Sequence, residues 1–131
     1  MKMKNVLFVC VENSCRSQMA EAFGKIHGQG IFESHSSGSK PSGIVNPKAI
    51  KAMADLDYDL SAHGSKSLDE IPQIEYDYAI TMGCGDECPN VIAKNRTDWA
   101  IPDPKHLDAA EFNKVRDIIE GKVLELVKEL S

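Results

Sequence analysis

A cysteine and an arginine near the start of the chain are close enough in sequence to act on one bound ligand. Cys10 and Arg16 enclose the stretch CVENSCR, which directly follows the apolar run at 6–9. The planar guanidinium of arginine matches two oxygens of a tetrahedral oxyanion and keeps its charge. A cysteine thiolate below such an oxyanion attacks its central atom. The pair therefore predicts substitution chemistry at phosphorus or arsenic.

The sequence on either side of this stretch predicts that Cys10 lies between a strand and a helix. The run at 6–9 reads as a buried strand, and residues 17–26 have apolar side chains at helical spacing, with Ser17 as the expected cap. A helix start supplies unpaired N–H groups and positive potential, so thiolate is favoured over thiol there. The loop amides can turn inward as an anion-binding nest. The residues expected to bind the oxyanion are Glu12, Asn13, Ser14, Cys15 and Arg16.

Cys10 has an alternative interpretation as a buried structural thiol, because free cysteine is among the most buried residue types. Arg16, Ser17 and the strand–loop–helix context all favour the nucleophile instead.

A second pair of thiols, Cys84 and Cys88, follows the predicted third strand at 76–82. If the first and third strands are neighbours, their carboxyl ends lie about 4.8 Å apart, which brings Cys84 near Cys10. Attack by Cys84 on a Cys10 sulfur that carries arsenic would release arsenite and leave a disulfide. Cys88 would then move the disulfide outward to a dithiol reductant. A zinc half-site, or two inert loop thiols, are the alternatives for this pair.

Composition restricts the classes of function. The formal net charge of -5 gives no reason to expect nucleic acid or membrane binding. The apolar stretches are short, and residues 1–5 lead directly into a strand rather than a signal sequence, so we expect a cytoplasmic protein. In that compartment four cysteines indicate redox or metal chemistry rather than static disulfides.

The order of predicted elements defines the fold class. The pattern predicts an α/β fold, a doubly wound four-stranded parallel sheet flanked by helices, in one domain over residues 1–131. The predicted strands are 5–10, 31–36, 76–82 and 97–101, and the predicted helices are 17–27, 47–56, 68–71 and 109–130. Ligands bind such sheets outside the carboxyl ends of the strands, where Cys10 is placed.

Several separate segments together resemble one family across nearly the whole chain. The matching segments are 10–17, 18–22, 36–38, 46–49, the Cys84/Cys88 pair and Asp103-Pro104. They resemble the thioredoxin-coupled arsenate reductases, which are built on the low-molecular-weight protein tyrosine phosphatase fold. The loop is shared with the phosphatases, and the Cys84/Cys88 pair resembles the reductases specifically.

This resemblance implies a role for each matching residue. Cys10 resembles the nucleophile, Arg16 the oxyanion clamp, Ser17 a hydroxyl that stabilises the thiolate, and Asn13 the residue that holds the shape of the loop. The remaining matches are Cys84 and Cys88 as resolving thiols and Asp103 as the general acid that protonates the departing oxygen. The implied protein is a monomer without cofactor or metal that uses thioredoxin as electron donor and binds phosphate or sulfate in competition with arsenate. A phosphatase acting on phosphotyrosine or a small phosphomonoester is the alternative.

Two positions depart from the family pattern, and a third residue, Cys15, has two interpretations. Glu12 stands where many relatives have glycine, which places a carboxylate near the anion site unless its side chain points out. Lys66 falls where some relatives bind potassium through an aspartate, so we predict no potassium site, with the Lys66 ammonium in place of the ion. For Cys15 we favour a packing role over a protective disulfide with Cys10.

Overall fold

The structure, a computed structural model, describes residues 3–83 and 92–131. Its strands are β1 (Lys4–Cys10), β2 (Phe32–Gly38), β3 (Tyr76–Thr81) and β4 (Ala93–Asp98), and its α-helices are α1 (Arg16–His27), α2 (Pro47–Ala54) and α3 (Ala109–Leu130). Two short 3-10 turns lie at Leu60–Ala62 and Leu68–Glu70. The four strands form one parallel sheet in the order β2-β1-β3-β4. The predicted fold class and the adjacency of the first and third strands are confirmed.

Strand β1 is the centre of the core because it is apolar on both sides. Val6 through Val9 have no exposed surface, as expected of a parallel strand that is covered on both faces. Val6 and Phe8 pack with side chains from all three helices, whereas Leu7 and Val9 pack with Ile71 and Tyr76 on the other face. Among the described residues, that second face is therefore covered by the segment around the Leu68–Glu70 turn rather than by an α-helix.

The predicted fourth strand, 97–101, is wrong in position. Strand β4 begins four residues earlier, at Ala93, and its side chains are mostly exposed. It is an edge strand with the sequence AKNRTD, so it lacks the apolar residues on which a sequence-based prediction depends. The apolar residues of the prediction, Trp99 and Ile101, lie beyond its end and are buried against the core.

The strand register brings the carboxyl ends of the sheet to one edge. Cys10 pairs with Gly38 of β2, and Val9 pairs with Thr81 of β3. All four strands point the same way, so the loops that follow them meet at this edge. None of the helices among the described residues combines the length and the apolar character needed to cross a membrane.

Candidate active site

The loop between β1 and α1 turns its carbonyl groups away from its own centre. These carbonyls accept hydrogen bonds from the surrounding chain: Val11 from Lys40 N at 2.8 Å, Glu12 from Ser42 N at 3.0 Å, and Ser14 from Asn46 N at 3.0 Å. A trans peptide holds its N–H opposite its C=O, so the N–H of each following residue points inward. The backbone N–H groups of the loop therefore face its centre, which is the geometry expected of an anion nest.

Asn13 is central to the shape of this loop. Its backbone has φ +51°, a left-handed conformation that asparagine tolerates better than most residues. Its side-chain amide donates to Ser17 Oγ at 2.8 Å and to Ser36 Oγ at 3.0 Å, and its Oδ1 accepts from Lys66 N at 2.7 Å. Its backbone N–H lies 3.2 Å from the sulfur of Cys10, which agrees with the inward direction inferred from the peptide planes.

Ser17 is a second polar neighbour of the Cys10 sulfur, with its Oγ 2.9 Å away. A Cys10 thiolate can only accept, so towards it the Ser17 hydroxyl donates while the Ser17 oxygen accepts from the Asn13 amide. Both contacts stabilise negative charge on Cys10. The prediction that Ser17 caps the helix is wrong: the N-cap is Cys15, without a side-chain cap, and Ser17 is the second residue of α1.

Arg16 is the first residue of α1, and its side chain is 11% exposed. Its Nη1 donates to the backbone carbonyls of Met82 and Ile101, with 3.0 Å to the Ile101 oxygen. These bonds tie the guanidinium to the segments that follow β3 and β4. Its Nη2 lies 3.9 Å from Asp103 Oδ2. With Nη1 committed to carbonyls, the Nε and Nη2 edge is the one whose geometry matches two oxygens of a tetrahedral oxyanion.

These groups surround one cavity of about 460 Å³. It is lined by Cys10, Val11, Glu12, Ser14, Cys15, Arg16, Gly83, Ile101, Pro102 and Asp103. The structure thus brings together the predicted nucleophile, the arginine clamp and the half-exposed carboxyl of Asp103. Of the five predicted oxyanion-binding residues, Asn13 alone does not line this cavity; it is fully buried behind the loop, and its N–H is directed at the sulfur.

Cys15 lies against the core with 4% of its surface exposed. Burial raises the pKa of its thiol to about 11, although a hydrogen bond from Ser14 acts in the opposite direction. The group is therefore a neutral thiol near pH 7, which supports the packing role that the sequence favours.

A charged cluster lies beneath the loop, and the sequence gives no sign of it. Glu21 of α1, with 6% of its side chain exposed, accepts hydrogen bonds from Ser36 and from Lys25 at 2.8 Å, and Lys66 Nζ lies 3.4 Å from its Oε1. Lys66 Nζ also donates to the carbonyl of Gly64 at 2.9 Å. The Lys66 ammonium thus lies among oxygens beside the loop, and the lack of a potassium site stays a prediction.

His63 also belongs to the region behind the loop. Its ring nitrogens lie 3.0 Å from Gln18 Oε1 and 2.7 Å from the hydroxyl of Tyr58. Gln18 in turn donates to Asn13, so His63 supports the loop through one intermediate side chain. Within residues 3–83 and 92–131, no three His, Cys, Asp or Glu side chains are grouped closely enough to hold a metal ion.

The predicted resolving thiols, Cys84 and Cys88, lie outside the described residues. Gly83, which directly precedes Cys84, has φ +82° and lines the same cavity as Cys10. The described residue that precedes Cys84 therefore lies at the edge of this cavity.

A thiol held in an inward-facing amide loop between a central parallel strand and a helix defines a class of phosphatase-like proteins. The chain belongs to the low molecular weight phosphotyrosine protein phosphatase family, whose sequence model matches residues 5–131. The predicted family is thereby confirmed.

Named relatives and solved structures are similar over most of the chain. Arsenate reductase 1 of Staphylococcus epidermidis is 41% identical over 128 residues, covering 94% of this chain and 95% of that protein. The glutaredoxin arsenate reductase of Synechocystis sp. is 36% identical, covering 98% and 100%. A solved arsenate reductase in the phosphate binding state has a TM-score of 0.88 at 36% identity, covering 98% of this chain and all of that one. A thioredoxin-dependent arsenate reductase of Corynebacterium glutamicum has a TM-score of 0.75 at 30% identity, covering 98% of this chain and 62% of that one.

Proposed function

We propose that this protein reduces arsenate to arsenite and that Cys10 is the nucleophile. The observation that carries the proposal is the position of the Cys10 sulfur, which lines the oxyanion cavity and receives hydrogen bonds from Ser17 and from the N–H of Asn13. Arsenate reductases are the named relatives at 36–41% identity over nearly the whole chain. Arsenate is a tetrahedral oxyanion, so it suits a nest of amides closed by an arginine.

In the first step the Cys10 thiolate attacks arsenic(V) and forms an S–As bond, while one arsenate oxygen leaves as water. Arg16 and the inward amides hold the remaining oxygens. Asp103 borders the same cavity, so its carboxyl, when protonated, donates the proton that the departing oxygen needs. Its 3.9 Å separation from Arg16 places it near the clamped oxyanion.

In the second step Cys84 attacks the sulfur of Cys10, and the electron pair of the S–As bond passes to arsenic. Arsenite leaves with arsenic reduced by two electrons, and a Cys10–Cys84 disulfide remains. Cys88 then attacks Cys84, which frees Cys10 and leaves a Cys84–Cys88 disulfide for an external dithiol to reduce. The position of Gly83 at the edge of the cavity supports Cys84 as the first resolving thiol.

For the electron donor we propose thioredoxin. Two resolving cysteines can deliver an intramolecular disulfide, which is the form that a dithiol protein reduces directly. One similar solved structure is a thioredoxin-dependent arsenate reductase, whereas one similar curated relative is a glutaredoxin arsenate reductase. Steady-state turnover with each purified donor distinguishes them, and turnover with glutaredoxin but not with thioredoxin would overturn this choice.

We also propose that residues 1–131 act as one domain, as a monomer, in the cytoplasm. A relay that must be re-reduced in every cycle requires a compartment that keeps thiols reduced. The four strands share a single sheet, which supports one domain. Sedimentation velocity of the reduced protein measures the oligomeric state.

The reaction is tested by a single turnover of fully reduced protein with arsenate and no external reductant, followed by disulfide mapping. About one equivalent of arsenite with a Cys84–Cys88 bridge is expected. The Cys10→Ser variant should release none, and Cys88→Ser should release about one equivalent and retain a Cys10–Cys84 bridge. Circular dichroism confirms that each variant is folded.

The competing function is hydrolysis of a phosphomonoester, which the family and the shared loop both allow. Steady release of phosphate from an aryl phosphate, without any arsenite from arsenate, would assign the protein to the phosphatases. Weak hydrolysis alongside arsenite release is consistent with reduction, because both reactions use the same nucleophile and loop.

A further inference from the structure

The loop between β1 and α1, residues 11–15, which we call the oxyanion loop, carries an acidic side chain at the cavity that holds the Cys10 sulfur. Glu12 lines the cavity together with Cys10 and Arg16, and its side chain is 36% exposed. A carboxylate so close to a bound oxyanion repels it, because like charges at short range interact unfavourably even in a partly solvated site. Binding of arsenate or phosphate therefore requires that the charge of Glu12 be offset.

Lys105 supplies the offsetting charge from a distant part of the chain. Its Nζ lies 3.0 Å from Oε1 and 3.0 Å from Oε2 of Glu12, so both carboxylate oxygens are engaged by one ammonium group. The hydrogen bond and the charge of Glu12 raise the pKa of Lys105 above its usual range. Lys105 therefore keeps its proton at physiological pH, and its positive charge lies directly against the Glu12 carboxylate.

The backbone around Lys105 is fixed from behind by a second lysine. Lys48 of α2 donates from Nζ to the carbonyl of Lys105 at 3.3 Å and to the carbonyl of Leu107 at 2.7 Å. The backbone N–H of Lys105 itself donates to Asp103 Oδ1 at 3.1 Å. The segment that carries the proposed general acid therefore also presents Lys105 to Glu12.

We propose that Lys105 is a positioning residue for the oxyanion: by holding both oxygens of the Glu12 carboxylate, it keeps that charge from opposing the anion at Cys10 and Arg16. This inference rests on the proposed function for its natural substrate, arsenate, but the binding of inorganic phosphate tests it without any reduction. Lys105 acts on the oxyanion through Glu12, and the site needs Lys105 because Glu12 is present.

A purely structural role does not account for the pair. The side chains of Lys105 and Glu12 are 40% and 36% exposed. Ion pairs as exposed as this add little to the stability of a fold. Exposed charges a few ångströms from a ligand nevertheless alter its affinity, and they do so more strongly at low salt. The effect should therefore appear in anion binding and KM rather than in the unfolding midpoint.

The experiment is a double-mutant cycle read by calorimetric binding of inorganic phosphate at low ionic strength, and by KM and kcat for arsenate. Lys105→Met should weaken phosphate binding and raise KM by about three- to tenfold with little change in kcat. Glu12→Gln in the Lys105→Met background should restore both values to near wild type or better. Raising the salt concentration should shrink the difference between Lys105→Met and wild type.

The exposed pair Glu111–Lys114 on α3, with the same 3.0 Å separation, provides matched controls. Lys114→Met makes the same change in net charge at a residue that does not line the cavity, and it should leave phosphate affinity unchanged. Unchanged affinity in Lys105→Met would overturn the inference. Equally weak binding in Lys105→Met and in the double variant would also overturn it, since Lys105 would then contact the anion directly. If wild type binds phosphate but yields no arsenite, the proposed function fails while the binding cycle still decides this inference.

Discussion

Cys15 lies next to Arg16 in sequence, yet the structure gives it chemistry opposite to that of a nucleophile. Its thiol has a pKa raised to about 11 by burial and has 4% of its surface exposed. At pH 8 only roughly one such thiol in a thousand is ionised, compared with about a quarter of ordinary exposed cysteines.

We therefore expect Cys15 to resist alkylation in the folded protein. With iodoacetamide at pH 8, peptide mapping should show Cys15 unmodified over a time in which a cysteine in an unfolded peptide reacts to completion. Addition of urea should make it reactive, which serves as the internal control. Labelling of Cys15 in the folded state at the rate of the unfolded peptide would contradict its burial and its packing role.

At the scale of single residues, the sequence could predict those parts of the site that lie within a short stretch. Cys10, Arg16 and Ser17 fall within eight residues of one another, and their chemistry can be read without a fold. Lys105 is 93 positions from Glu12, and Lys66 is 45 positions from Glu21. Neither pairing follows from composition or spacing, because only the packed chain brings such residues together.

At the scale of elements, the close approach of β2 to the oxyanion loop depends on a glycine. A Cβ added at Gly38 would lie 2.4 Å from the carbonyl oxygen of Val11 and 2.9 Å from the N–H nitrogen of Asn13. Both atoms are backbone atoms of the loop, so the loop itself would have to shift.

We expect Gly38→Ala to impair catalysis because it displaces the amides that face the anion. Arsenite release should fall by at least about tenfold, and the free energy of unfolding should fall by about 1–3 kcal/mol. Single-turnover assays and urea denaturation measure the two effects.

Gly121→Ala is the matched control, because Gly121 lies inside α3 with open space where its Cβ would be. It should raise the free energy of unfolding by about 0.5–1 kcal/mol and leave turnover unchanged. Wild-type turnover in Gly38→Ala would show that the loop tolerates the shift.

The elements also show where a sequence pattern is informative. β1 is apolar on both faces and α3 has apolar residues at helical spacing, and both were predicted to within one residue. β4 has neither pattern because, within the described part of the chain, β3 is its single neighbouring strand and most of its side chains face water, so its predicted position was wrong.

At the scale of the whole molecule, the cluster beneath the loop links folding stability to pH. Burial alone would raise the pKa of Glu21, but hydrogen bonds from Lys25 and Ser36 and the nearby charge of Lys66 outweigh it, so its pKa lies below the ordinary 4.5. Burial lowers the pKa of His63 below the ordinary 6.5, even though Glu21 acts against this. Burial lowers the pKa of His35 as well.

Both kinds of shift make the protein less stable as the pH falls. Between its folded pKa and about 6.5, His63 binds a proton more readily in the unfolded chain, so stability declines as the pH drops through that window. Glu21 is protonated first in the unfolded chain below about 4.5, so its contribution is lost as the pH falls through its folded pKa. The free energy of unfolding, measured by urea titration from pH 8 to pH 3.5, should therefore decline in two successive windows.

Glu21→Gln tests the lower of these two windows. At pH 7 the variant should lose about 1.5–3 kcal/mol, because its neighbours keep their donors but lose a charged acceptor. Its stability should then fall less steeply than that of wild type below pH 4.5, since the residue no longer titrates. Glu129→Gln, which removes an exposed carboxylate from the last turn of α3, should follow the wild-type profile.

Parallel profiles for Glu21→Gln and wild type below pH 4.5 would mean that the buried cluster does not govern acid unfolding. The decline would then belong to other carboxylates whose pKa the fold lowers, such as Asp77, where the hydrogen bond from the N–H of Asn5 is the main cause.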